Sequence, residues 1–155
     1  MRLKLIIPIA LVLILFSFNN CTTDNLTPWL VISENKRFLS TEKGDPFFWL
    51  GDTGWLLFQK LSREEAAKYF DTRKQQGFNV IQVMVIQNII RNTNFYGDSA
   101  LVDHKINQPL VSEGSSPDDP EQYDYWDHVD YIVKLAHEKG IYLAFVPVWG
   151  SVPRR

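Results

Sequence analysis

Two tryptophans and the small polar residues around them carry what chemistry this sequence offers. Gly51-Asp52-Thr53-Gly54-Trp55 sets a carboxylate, a hydroxyl and an indole within four positions, directly after the apolar run Pro46-Phe47-Phe48-Trp49-Leu50. Trp149-Gly150-Ser151 ends a second apolar run in the same manner, and Gln87-Asn88 follows a third. Hydrogen-bonding groups beside flat aromatic faces suit a polyhydroxylated ligand, which needs both. Asp52 reads as an acceptor for ligand hydroxyls or as a group orienting another residue, with a loop or helix-end cap as the alternative. Thr53 and Trp55 share its rim, Gln87 and Asn88 lie at the next one, and Trp149 offers a stacking face. Tyr96, in the Tyr96-Gly97-Asp98 step of a long polar loop, is a further candidate for ligand contact.

Other chemistries find no support. His104, His128 and His137 lack the spacing of metal ligands on one helix face, so no metal is expected. There is no Gly-x-Ser-x-Gly elbow, and Gly51-Asp52-Thr53-Gly54 puts a carboxylate where a phosphate loop would place its anion. No cofactor is expected. A formal net charge of −2 and the lack of a basic stripe argue against nucleic acid.

The elements that must position these residues alternate. Pro46–Leu50, Phe78–Ile86 and Ile141–Val148 read as strands buried on both faces, the pattern of a parallel sheet. Between the first two, Leu61-Ser62-Arg63-Glu64-Glu65 carries a capping box, Ala66, Tyr69, Phe70 and Arg73 form a stripe, and Gly77 supplies the stop. Between the second and third, residues 87–120 form a long loop. A helix is then predicted from Asp119-Pro120-Glu121 to Gly140, with Trp126, Val129, Val133 and Ala136 on one face. Leu30–Ile32 and Arg37–Leu39 read as a small hairpin that would close the floor of a barrel. The fold class is α/β, about the first three strands of a (β/α)8 TIM barrel preceded by a hairpin. A whole barrel takes about 250 residues, and the 155 here are expected to be its opening part.

Ahead of this lies an export signal. Arg2 and Lys4 precede the apolar stretch Leu5–Phe16, too short for a stable span, and the single cysteine, Cys21, follows Asn19-Asn20. Residues 1–20 resemble a bacterial lipoprotein signal peptide with Cys21 as the lipidation site, residues 21–29 a tether, and residues 30–155 the barrel portion. A lone cysteine excludes a disulfide framework within the chain. The expected location is the bacterial outer membrane or periplasm, held at the membrane through the lipid.

Phe47-Phe48-Trp49-Leu50-Gly51-Asp52-Thr53-Gly54-Trp55, Leu61-Ser62-Arg63-Glu64-Glu65, Gly77-Phe78-Asn79-Val80-Ile81-Gln82 and Pro147-Val148-Trp149-Gly150 together resemble the apiosidase-like glycoside hydrolases, glycoside hydrolase family 140. The resemblance runs from about Leu30 to Gly150. It implies a (β/α)8 catalytic barrel, hydrolysis of glycosidic bonds in plant pectic side chains, and plant cell-wall oligosaccharide as the partner. It also implies that the two catalytic carboxylates lie on later strands, so no catalytic residue is assigned here, and the 155 residues alone are expected to be inactive. A non-catalytic glycan-binding surface lipoprotein, or an inactive gene remnant, is the competing expectation.

Overall fold

Ser62 starts the longest well-signalled helix as its neighbours dictate. In the computed structural model its hydroxyl accepts from Glu65 N–H at 3.2 Å while the Glu65 carboxylate accepts from Ser62 N–H at 3.0 Å, a reciprocal cap. The structure describes residues 26–149, so the segment 1–20, Cys21 and Gly150 lie outside it. The elements run β1 (Leu30–Ile32), β2 (Leu39–Thr41), β3 (Gly51–Thr53), α1 (Leu57–Lys60), α2 (Arg63–Gln75), β4 (Val80–Ile86), α3 (Tyr125–Glu138) and β5 (Tyr142–Val148). β1 and β2 pair antiparallel, and β3-β4-β5 form a parallel sheet with β4 central. This is mixed α/β architecture, a partial TIM barrel with a small hairpin in front. Among the described residues no helix is long and apolar enough to cross a membrane.

The core lies between the sheet and its helices. Phe58 of α1, Ala66 and Phe70 of α2, Ile81 and Val83 of β4, and Tyr125, Ile132 and Ala136 of α3 are buried in one cluster. Inside it Gln59 Nε2 donates to Val85 O at 3.1 Å and to the Tyr125 hydroxyl at 2.8 Å, and that hydroxyl in turn donates to Val85 O, while Gln59 Oε1 has no partner among the described residues. At the N-terminal end of β5, the Tyr142 hydroxyl donates to Pro28 O and its ring meets Phe47 edge-on at 5.2 Å. Thr27 contacts His137 as well. The described end of the 21–29 segment is thus packed, and the hairpin region sits at the sheet floor.

Three expectations need correction. The run 46–50 is not a buried strand: Phe48, Trp49 and Leu50 are 77%, 53% and 39% exposed, and the strand is Gly51–Thr53. The sequence pattern marks residues that can be covered, but among the described residues none covers them. The last helix starts at Tyr125 rather than near Asp119, because Asp124 caps it, accepting from Trp126 N–H at 2.7 Å and Asp127 N–H at 3.1 Å. Asp119 instead closes a turn, accepting from Glu121 N–H at 3.0 Å. The buried face of α3 consequently runs through Tyr125, Val129, Ile132 and Ala136, and Val133 is exposed. Within the long loop Asn92 and Asn94 are buried, and bridges join Thr93 to Ser99 and Leu101 to Pro109.

Candidate functional site

Strand register decides which side chains can meet a ligand. Asp52, Ile81 and Leu143 are neighbours across the sheet, as are Thr53, Gln82 and Ala144. Side chains alternate along each strand, so these two rows face opposite ways. The Asp52 row faces α2: Tyr69 donates its hydroxyl to Asp52 Oδ2 at 2.9 Å, and Arg73 forms an ion pair with the same oxygen. Burial pushes the Asp52 carboxyl up, but the Thr53 backbone N–H, the Tyr69 hydroxyl and the Arg73 charge outweigh it and hold it below the ordinary carboxylate range. The carboxylate is therefore bound to the helix layer through Tyr69 and Arg73. Thr53 and Gln82 lie on the other face, exposed.

That second face leads upward to the strand ends. Beyond β3, Gly54 N–H donates to Gln82 O at 2.9 Å, and Trp55 O accepts from Met84 N–H at 3.1 Å. Beyond β5, Trp149 N–H donates to Ile86 O at 3.4 Å. Both tryptophans thus hang on β4 by their backbones, from opposite sides. Their rings meet at 5.4 Å between centroids and 57° between planes, and Trp149 remains 48% exposed. Two indoles that the sequence separates by most of the chain form one aromatic ledge at the carboxyl ends of the parallel strands, where α/β barrels carry their sites.

The remaining candidates are placed differently. Gln87 is half-buried where β4 ends. Asn88 is occupied as a turn former, its Oδ1 accepting from Ile90 N–H at 3.0 Å and Arg91 N–H at 2.7 Å. Tyr96 lies at the start of α2, accepting from Arg63 N–H at 3.2 Å and meeting His128 edge-on at 5.3 Å. It belongs to a group that the sequence did not announce. The Arg63 guanidinium lies 5.9, 5.3 and 5.7 Å from the rings of Tyr96, Tyr123 and Tyr131. The Tyr123 hydroxyl stands 3.2 Å from Nδ1 of the fully buried His128. Burial drives His128 down to about 4, the nearby Arg63 charge adding to the effect against the opposing Leu61 carbonyl and Asp98, so this imidazole is neutral. The cluster pins the long loop to α2 and α3. The signal for the partners of Asp52 was present, since Tyr69 and Arg73 sit four apart on one helical face. Among the described residues no group of three His, Cys, Asp or Glu side chains could hold a metal.

Residues 33–155 match the family model described as apiosidase-like, catalytic domain, and the chain belongs to that family. A solved structure described as a glycoside hydrolase is 42% identical, with a TM-score of 0.65, over 80% of this chain and 26% of its own. Another, from Bacteroides vulgatus ATCC 8482 and described as a glycoside hydrolase of family 5, is 40% identical with a TM-score of 0.66, over 81% of this chain and 26% of its own. The chain therefore spans about a quarter of the length of these relatives. No curated protein matches it.

Proposed function

We propose that this chain forms the opening strands of an exported glycoside hydrolase that cleaves O-glycosidic bonds in side chains of plant pectic polysaccharide, in the manner of an apiosidase. The observation that carries the reading is the Trp55–Trp149 ledge above the exposed Thr53–Gln82 row, a stacking surface flanked by hydrogen-bonding groups. Glycoside hydrolysis takes a pair of carboxyl groups, one as acid and one as base or nucleophile. The three parallel strands carry one acid, Asp52, and it is bound to α2. The catalytic pair accordingly belongs to the remainder of a protein of the relatives' length, and the 155 residues alone are inactive in this reading.

Residues 1–20 direct export, and Cys21 takes the lipid that holds the protein at the bacterial outer membrane or in the periplasm. Radiolabelled palmitate should enter the wild type and not Cys21→Ser. For the site, Trp55→Ala or Trp149→Ala should each weaken binding of a pectic oligosaccharide by about two- to tenfold, the worth of one aromatic contact. Unchanged affinity in both variants, by calorimetry, would remove the ledge from the site. The lack of an acid pair on these strands favours a second reading, a glycan-binding surface lipoprotein without catalysis. Binding without any released sugar from a protein of the relatives' full length would select it.

A further inference from the structure

Below the rim, side chains of α2 and β4 border the chain just ahead of Trp55. Tyr69 reaches from α2 to the end of β3, where its hydroxyl donates to Asp52 Oδ2 at 2.9 Å. The same hydroxyl oxygen lies 3.1 Å from the point where a Cβ on Gly54 would stand, and Ile81 Cγ2 lies 2.9 Å from that point. The chain at Gly54 thus passes a slot with the Tyr69 hydroxyl and an Ile81 methyl as its walls, where a Cβ would push the methyl aside and crowd the hydroxyl. Arg73, one helical turn beyond Tyr69, joins the same carboxylate oxygen, and its guanidinium lies 5.0 Å from the Tyr69 ring. The residue that emerges from the slot is Trp55, the one that meets Trp149.

We propose that Tyr69 is a positioning residue for the rim. Its hydroxyl, anchored on Asp52, fixes the path of the chain at Gly54 and so sets Trp55 opposite Trp149. The ring and the hydroxyl divide the work. The ring packs beside Phe70 at 5.8 Å and belongs to the helix layer, whereas the hydroxyl alone touches both the carboxylate and the slot. Removing the oxygen leaves Asp52 paired with Arg73 and the ring in place, but takes away one wall. Any effect on ligand affinity rests on the ledge being the saccharide surface; the positioning itself does not.

Adjacent indoles couple in circular dichroism, and the part of the signal lost in Trp149→Phe belongs to the pair. In the full chain, well below its unfolding temperature, Tyr69→Phe should lose most of that part while the helical signal stays. Asp52→Ala, which removes the anchor and keeps the phenol, should lose it too, and serves if Tyr69→Phe does not fold. The same variants should bind a pectic oligosaccharide more weakly. A merely stabilising Tyr69 would lower the melting temperature and leave the coupling at the wild-type level; that result overturns the proposal. Lost coupling with unchanged sugar affinity upholds the positioning and instead sinks the ledge as the saccharide surface.

Discussion

The two faces of the β3-β4-β5 sheet are one residue apart along every strand, yet they are finished differently. On the helix-covered face Ile81 and Val83 are completely buried, and Asp52 has both a phenol and a guanidinium. On the other face Thr53 and Gln82 stand exposed, with Trp149 half in solvent above them. The first face is completed by α1, α2 and α3. Among the described residues no helix covers Thr53 and Gln82 on the second. The difference is therefore local: the open patch is the Thr53–Gln82 row and the strand end at Trp149, while Val80, Met84 and Ile86 on the same face of β4 are buried.

Mutations can test that division directly. Phe70→Ala, at the centre of the covered face, should cost about 3–5 kcal/mol, as aromatic truncations in a packed core do, and denaturant titration should show the loss of most of the folding free energy. Acid should act through the same side. His128 titrates near 4 in the fold and near 6.5 when unfolded, so the unfolded chain binds the extra proton first. The contribution is whole above about pH 6.5 and disappears as the pH falls towards 4, up to roughly 3 kcal/mol. His128→Gln should flatten the melting temperature across that interval; an unchanged slope would show that another group is responsible. Ser62→Ala, which removes the cap of α2, should cost about 1 kcal/mol. Smallest of all, Gln82→Ala on the open face should change stability by no more than about 0.5 kcal/mol. A loss there as large as that of Phe70→Ala would break the contrast between the faces.

What could be read from the sequence was local. The capping box of Ser62 and Glu65 needs only four consecutive residues, and the left-handed stops at Gly77 and Gly140 need one each, so these helix ends stood where expected. The β-α-β order followed from the apolar runs at 78–86 and 141–148 and the helix signals ahead of each, whereas the run 46–50 pointed to a strand that forms only at Gly51–Thr53. Asp119 and Asp124 were harder, because both precede residues that could begin a helix, and the choice fell to Asp124 through its reciprocal bond with Asp127. The site was half legible. Trp55 and Trp149 were each visible as strand-end aromatics, but their meeting depends on β4 lying between β3 and β5. The direction of Asp52 depends on a three-residue strand whose parity no local pattern fixes. Arg63 among its three tyrosines was invisible, since its partners come from a loop and a helix far along the chain.

The central place of β4 also has a consequence in time. Its first partner, β3, precedes it, and the intervening α2 carries its own start and stop signals, so this unit can close as soon as Ile86 has been made. Its second partner is not complete until Val148. At the usual pace of synthesis, roughly 60 residues take about 3–12 seconds. Throughout that interval one edge of an apolar strand has its hydrogen-bonding groups unclaimed and is open to any other extended chain. The nascent protein is most vulnerable to wrong pairing in those seconds, and a holdase that binds extended apolar segments should be found on Val80–Ile86 before anywhere else.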